Sequence, residues 1–453
     1  MTERADVVVV GMGPGGEDLA GRLAEAGLDV IGVDSGLVGG ECPYWGCVPS
    51  KMMIRAANLV AETRRVPGMA GASTVQPSWE PVGRRIRDEA TDNWDDRVAV
   101  ERFESKGGRF LRGAGRLAGP GRVTVGDIDV EPGRAVVLAT GTHATVPPIE
   151  GLRDVPYWTN RDAIEVTELP SSIVVLGGGA IGLELGQVFR RFGVEITVVE
   201  ALDRLLAGEE PEAGALLAEV LEREGVSVRT SAKVTRVTQD GSAIALHLDG
   251  GSRVAGERLL VATGRAADLG ALGVDSIGVD PSARWLPVDD HLRVAPGVWA
   301  VGDITGAGAF THVSMYQAAI AADDILGRHV APADYKALPR VTFTDPEVGS
   351  VGLGEAAARE RGLDVRVGVA QVPSSARGWI HKAGNEGFIK LVEDAGRGVL
   401  VGATSAGPTG GEVLGLLALA VHAEVPTAHL RRMIFAYPTI HRCVEDALRA
   451  LSH

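Results

Sequence analysis

A chain of 453 residues, 45% hydrophobic and 23% charged, is long enough for two to four domains with sizeable cores. Its formal net charge of −14 argues against nucleic acid as a partner. No apolar run reaches the roughly 18 residues needed to cross a bilayer, and Val413 to Val421 is too short. The valines near the N-terminus run straight into a glycine turn and read as a strand rather than a signal peptide. With only three cysteines, the chain suits the reducing cytoplasm, where a disulfide is usually transient and catalytic.

Asp6 to Val10 is a short apolar run, as expected for a parallel strand buried on both faces. Gly11-Met12-Gly13-Pro14-Gly15-Gly16 follows, then a helical pattern from Asp18 to Ala26 and a second strand, Val30 to Val33, ending in Asp34. This is G-x-G-x-x-G in a βαβ setting with an acid about 20 residues on. Glycines let the backbone approach a pyrophosphate, the helix N-terminus stabilises its charge, and the acid accepts from a ribose hydroxyl. A tight turn without a ligand is the bland alternative.

Two of the three cysteines lie in Gly39-Gly40-Glu41-Cys42-Pro43-Tyr44-Trp45-Gly46-Cys47-Val48-Pro49-Ser50-Lys51. Their spacing is too wide for C-x-x-C and too isolated for a metal cluster, so they read as a redox pair, against two buried core thiols. Pro43, Gly46 and Pro49 are expected to keep the loop out of regular helix, with a helical run from Lys51 through Val60. Cysteines at a helix N-terminus beside a lysine are expected to have depressed pKa values. The stretch resembles the G-G-x-C-x-x-x-G-C-x-P-S-K signature of the flavin-dependent pyridine nucleotide-disulfide oxidoreductases. Cys42, Cys47, Gly46, Pro49, Ser50 and Lys51 match, whereas Glu41, Tyr44 and Trp45 replace smaller residues. The resemblance implies FAD on the first glycine turn (Gly11, Gly13, Gly16, Asp34) and Lys51 beside the flavin. It also implies Cys47 as the thiolate in charge-transfer contact and Cys42 as the thiol meeting substrate.

Residues 51 to 107 read as mostly helical, broken by turns from Pro67 to Ser78, with Asp95-Asp96-Arg97 as a solvated helix face. Arg109 to Ala139 reads as an antiparallel meander. Within it, Arg112 to Leu117, including Gly115, resembles the segment that meets the FAD adenine. Ala139-Thr140-Gly141 resembles a second flavin contact.

A second dinucleotide unit follows Leu169-Pro170: strand Ile173 to Leu176, turn Gly177-Gly178-Gly179-Ala180-Ile181-Gly182, helix to Phe192, strand Ile196 to Val199, then Glu200. Gly177, Gly179, Gly182, Glu200 and Gly264 are the expected NAD contacts. A carboxylate at Glu200 repels a 2′-phosphate, so NADH is favoured over NADPH despite the nearby Arg204. By itself Glu184 is a solvated helix residue; the family pattern pairs it with Lys51. Ala262-Thr263-Gly264-Arg265 closes this unit.

Val298 to Thr305 resembles the late flavin motif, with Gly302, Asp303 on the ribityl chain and Thr311 near the pyrophosphate; a helix from Tyr316 to Leu326 follows. The FAD domain is therefore expected to be discontinuous (1–150 and 271–332), around an NAD domain (151–270). Thr342 to Gly349 and Gly407 to Glu412 resemble landmarks of a dimerisation domain (333–453). The fold class is α/β, with two Rossmann-like domains and a C-terminal α+β domain. An obligate homodimer with shared active sites is implied, with a small-molecule acceptor, no metal and no membrane.

The family's acid/base dyad, a histidine followed by proline and threonine with a glutamate five positions on, is replaced. Here the segment reads Tyr437-Pro438-Thr439-Ile440-His441-Arg442. Tyrosine, with a pKa near ~10, is a poor base at neutral pH, and general acid-base catalysis is worth roughly 10²- to 10⁴-fold. His441 and Glu445 are expected as a surface pair and Cys443 as a helix-packing thiol. The resemblance thus points to hydride passing from NADH through FAD to the Cys42/Cys47 disulfide and on to a quinone, soft metal ion or electrophile. Mercuric reductases share the tyrosine with a phenylalanine two residues before it, here Phe435, but Leu451-Ser452-His453 lacks their mercury-delivering cysteine pair and no N-terminal metal-binding domain is expected. A ketone-carboxylating branch, dihydrolipoamide dehydrogenase and a low-turnover flavin sensor are the other readings.

Overall fold

The computed structural model describes residues Thr2 to Leu451; the terminal Ser452 and His453 lie outside the described residues. The chain packs as two compact units. The first comprises the residues up to Pro49, Arg84–Thr145 and Gly264–Asp334; the second comprises Ser50–Gly83, Val146–Thr263 and the residues from Tyr335 on.

In the first unit, Val7, Val8 and Val9 are wholly buried, and the strand Thr2–Val10 accordingly sits inside a parallel sheet. It is flanked by Val30–Asp34 on one side and Ile128–Leu138 on the other. The register pairs Val7 to Val10 with Val30 to Val33, and Val10 with Leu138, so neighbouring strands end at one level. The helix Pro14–Glu25 covers one face through Leu19, Ala20 and Leu23, packing with the helix Thr311–Ile325 into a shared apolar core. The expected meander is only partly antiparallel. Gly115–Leu117, Val123–Val125 and the start of Ile128–Leu138 form it, while Arg109–Arg112 joins the parallel sheet beside Val30–Asp34.

The second unit repeats this construction in Ser172–Leu176, Ala180–Arg191 and Glu195–Val199, with Ser227–Arg229 and Arg258–Val261 extending a four-stranded parallel sheet. It also contains the C-terminal antiparallel sheet, ordered Pro339–Thr342, Glu347–Gly352, Val399–Gly407, Phe388–Asp394 and Val365–Gln371. The helices Gly410–His422 and His441–Ala450 share its core. In the last helix Cys443, Val444, Ala447 and Leu448, followed by Leu451 at its C-terminal end, recur at helical spacing and are buried there.

Three further local expectations change. The stretch expected to stay out of regular helix carries a short one, Glu41–Tyr44, with Pro43 inside it. The helix expected from Lys51 starts at Cys47 and runs to Arg65, because Pro49 falls in its first turn, where a missing N–H is no loss. Asp96 is not solvated: its carboxylate accepts from the Val38 N–H at 2.7 Å and from the Arg112 guanidinium at 2.5 Å, which buries it.

Candidate active site

The two glycine turns are built alike. Gly11 (φ +97°) and Gly177 (φ +113°) each occupy the left-handed region against the carbonyl of a neighbouring strand end, Ala139 and Ala262 respectively, where a Cβ would collide. Gly16 and Gly182 back onto the carbonyls of Gly11 and Gly177, which brings each helix close to its sheet. The middle glycines, Gly13 and Gly179, face open space and stand as N-caps without a side-chain cap, leaving helix N–H groups directed outward. The acids also correspond. Asp34 accepts from the N–H of Met12 and Gly36, both at 2.7 Å. Glu200 accepts from the N–H of Gly178 at 2.6 Å and Leu202 at 2.7 Å. Arg204 reaches Asp203 and the Ala207 carbonyl.

Cys47 opens the long helix and is exposed, its Sγ 3.3 Å from the Thr311 hydroxyl; Cys42 is partly buried, and both are free thiols. The expectation of depressed pKa values fails for Cys42. Its hydrogen bond to Cys47 and its burial raise the thiol well above the ordinary range, outweighing Thr311. Thr311 is the first residue of its helix, which begins five residues before the expected Tyr316.

Lys51 lies four residues after Cys47 on the same helix, hence on the same face. Its Nζ donates to Glu184 Oε2 at 2.8 Å and lies 4.5 Å from the Phe343 ring centre. Glu184 is buried, and its other oxygen accepts from the Phe343 N–H at 2.8 Å. Phe343 was not singled out in the sequence, which carries no local signal linking it to Glu184.

Around Asp303, the Thr142 hydroxyl donates to Oδ2 at 2.9 Å and accepts from Arg265 Nε at 2.8 Å, while Arg265 also bonds the Thr142 carbonyl. Burial pushes the Asp303 carboxyl up. Gly302 donates its N–H to Gln317 Oε1 at 2.7 Å. Gly141 and Gly264 face open space and Thr140 is exposed, whereas Gly115 is packed against Val10 and Val33. Sequence reasoning quoted Arg265 but missed its part here, as it missed Thr142 and Gln317.

In the C-terminal segment Tyr437 is 69% exposed, with the Arg442 guanidinium 5.6 Å from its ring centre. Glu445 pairs with Arg442 at 2.7 Å and with Arg449, not with His441 as expected; two guanidiniums lie one helical turn away on either side of it. Cys443 is buried, and burial pushes its thiol up to about 12.

Residues 5–322 match the model of the pyridine nucleotide-disulphide oxidoreductases and residues 338–448 that of their dimerisation domain. The chain belongs to the pyridine nucleotide-disulphide oxidoreductases. It is 32% identical to a dihydrolipoyl dehydrogenase of Thermus scotoductus, over 98% of this chain and 97% of that one. It is 30% identical to a mercuric reductase of Streptomyces lividans, over 99% and 96%. Among solved structures, LpdA from Mycobacterium tuberculosis superposes with a TM-score of 0.86 at 25% identity, covering 100% of both chains. The HOCl-induced flavoprotein disulfide reductase RclA from Escherichia coli superposes with a TM-score of 0.85 at 25% identity, covering 98% of this chain and 99% of that one.

As a pyridine nucleotide-disulphide oxidoreductase the protein is an oxidoreductase with a dimerisation domain, and members of the family use FAD and NAD(P)H. Among the described residues no helix is long and apolar enough to cross a membrane.

Proposed function

We propose that the protein is a cytoplasmic, homodimeric, NADH-oxidising reductase whose acceptor is not an ordinary disulfide. FAD, when bound, supplies the two-electron link between the nicotinamide and the cysteine pair. The residues present fit it. Gly13 and Gly179 leave room for a diphosphate at uncapped helix N-termini, and Asp34 and Glu200 hold carboxylates where a ribose is read. We assign the first turn, with Gly115, Thr140, Gly141, Gly302, Asp303 and Thr311, to FAD, and the second turn, with Gly264, to NADH. The corresponding domains are 1–150 with 271–332 and 151–270, with 333–453 as the dimer interface.

In this reading Cys42 holds the proton of the reduced pair and meets the acceptor, Thr311 bonds Cys47, and Glu184 fixes the Lys51 ammonium beside the flavin. The partner subunit completes each site through its C-terminal segment. The acceptor class rests on the Arg442 guanidinium lying over the Tyr437 ring. That arrangement has no imidazole oriented by a carboxylate, so proton removal from Cys42 lacks the usual base. Acceptors needing little proton management, such as quinones, fit.

The test is NADH oxidation with benzoquinone and with lipoamide disulfide in parallel. Quinone turnover should exceed disulfide turnover by about 10²-fold or more. The Tyr437→His/Arg442→Glu double variant should raise the disulfide rate, whereas Tyr437→His alone should not, since Arg442 lowers the basicity of the imidazole. Efficient native lipoamide turnover, unaffected by Tyr437→Phe, overturns the assignment. Phe435 two residues before Tyr437 favours a second reading, mercuric-ion reduction, which Hg(II)-dependent NADH oxidation would reveal.

A further inference from the structure

Glu41 stands where the family signature carries a smaller residue, and it introduces a carboxylate beside the first glycine turn. Glu41 opens the short helix Glu41–Tyr44, and its N-cap, Gly40, lies directly on that turn: a Cβ on Gly40 would come within 2.9 Å of the Gly13 Cα. Gly13 is the open middle glycine at the uncapped helix N-terminus, the place for an anionic diphosphate. A carboxylate one residue from Gly40 therefore opposes the ligand charge this turn is built to accept.

The opposing charge comes from Arg265, 16% exposed, whose guanidinium lies 3.7 Å from Glu41 Oε2. The same guanidinium is fixed through Nε and Nη2 to the hydroxyl and carbonyl of Thr142, and the Thr142 hydroxyl donates onward to Asp303. One cation thus serves two carboxylates, Glu41 directly and Asp303 through a hydroxyl. The Asp303 carboxyl is affected by both: burial and Glu41 push it up, while Thr142 and Arg265 pull it down. With Arg265 counted, the cluster carries a net charge of about −1 when both acids are ionised; without Arg265 it carries about −2, against a diphosphate of like sign.

We propose that Glu41 and Arg265 are a charge-compensating pair that sets how tightly this protein retains FAD, with Arg265 a positioning residue and Glu41 the group that weakens retention. This rests on the assignment of the first glycine turn to FAD. It explains how the chain carries a carboxylate at a position where the signature has a smaller residue, and it makes the effect of either residue depend on the other.

The experiment is a dilution series of purified full-length holoprotein, read by fluorescence of released FAD, for native protein, Glu41→Gln, Arg265→Met and the double variant. Arg265→Met should weaken FAD binding by at least about tenfold, equivalent to about 1.4 kcal/mol. Glu41→Gln should tighten it by about threefold or more, and the double variant should return to within about threefold of native. A double variant as weak as Arg265→Met alone, or weakening by Glu41→Gln, overturns the proposal. If Arg265→Met does not fold, Glu41→Gln alone decides: tightening supports the pair, and no change or weakening refutes it. Native protein that cannot hold FAD at all overturns the FAD assignment and this proposal together, whereas native protein that holds FAD with no coupling between the two residues overturns only the pair.

Discussion

Removing Glu184 should loosen the backbone at Phe343 as well as free Lys51. The carboxylate makes two bonds, accepting from Lys51 Nζ at 2.8 Å and from the Phe343 N–H at 2.8 Å, with its side chain 7% exposed and that of Lys51 36% exposed. A hydrogen bond to a charged group contributes about 1.5–3 kcal/mol, and a buried donor left unpaired costs about 1–3 kcal/mol. Because Lys51 keeps part of its hydration, the lower end applies to the ion pair. Glu184→Gln retains an acceptor for Phe343 and should cost about 1 kcal/mol, whereas Glu184→Ala loses both bonds and should cost about 3 kcal/mol. A chain with two compact units need not unfold in one step, so a local measurement is better than a global midpoint. Hydrogen exchange of the peptide containing Phe343 supplies one: the ~2 kcal/mol between the variants corresponds to roughly 30-fold faster exchange in Glu184→Ala than in Glu184→Gln. Equal exchange in both variants would refute the double role of the carboxylate.

Iodoacetamide at neutral pH should alkylate Cys42 or Cys47 in the NADH-reduced protein and spare Cys443 until denaturant is added, because burial holds the Cys443 thiol near about 12 and little thiolate forms; rapid native labelling of Cys443 by peptide mapping would contradict this. NADH reduction should give a long-wavelength absorbance that Cys47→Ser abolishes and Cys42→Ser keeps, and its survival in both variants would remove the cysteines from the relay. Steady-state kcat/KM should favour NADH over NADPH, with Glu200→Gln narrowing the ratio; a native preference for NADPH would mean that Arg204 outweighs the carboxylate.

What was legible in the sequence is what neighbouring residues determine. Each glycine turn, its strand and its acid lie within about 30 residues, and steric demands on Gly11 and Gly177 leave few other side chains possible there. The strand ends and the helices behind the turns follow from the same short-range patterning, whereas the C-terminal domain was reached only through the family resemblance. Long-range polar contacts were not legible. Asp96 looked solvated beside Asp95 and Arg97, yet it serves an N–H 58 residues earlier. Arg191, almost fully buried, is made tolerable by Glu224, Asp345 and Asn58, none of which is near it in the chain. Glu445 went to Arg442 and Arg449 because two guanidiniums lie within a helical turn of it, a competition that the His441–Glu445 spacing alone does not reveal.

The two turns differ in the length of their acid, and the difference bears on cofactor choice. Asp34 and Glu200 each spend one oxygen on the second residue of the turn and the other on the N–H two residues ahead. Each carboxylate is thus oriented by backbone before any ribose arrives, and the ordering entropy of that side chain is already spent in the folded protein. A diol can donate to the lone pairs left over, whereas a 2′-phosphate brings a second negative charge against a group that cannot rotate away without giving up a backbone bond. On the proposed assignment of the second turn to NADH, discrimination at Glu200 follows from how firmly the carboxylate is held, and a variant that frees its rotamer while keeping its charge, such as Glu200→Asp with its shorter reach, should lose part of the NADH preference.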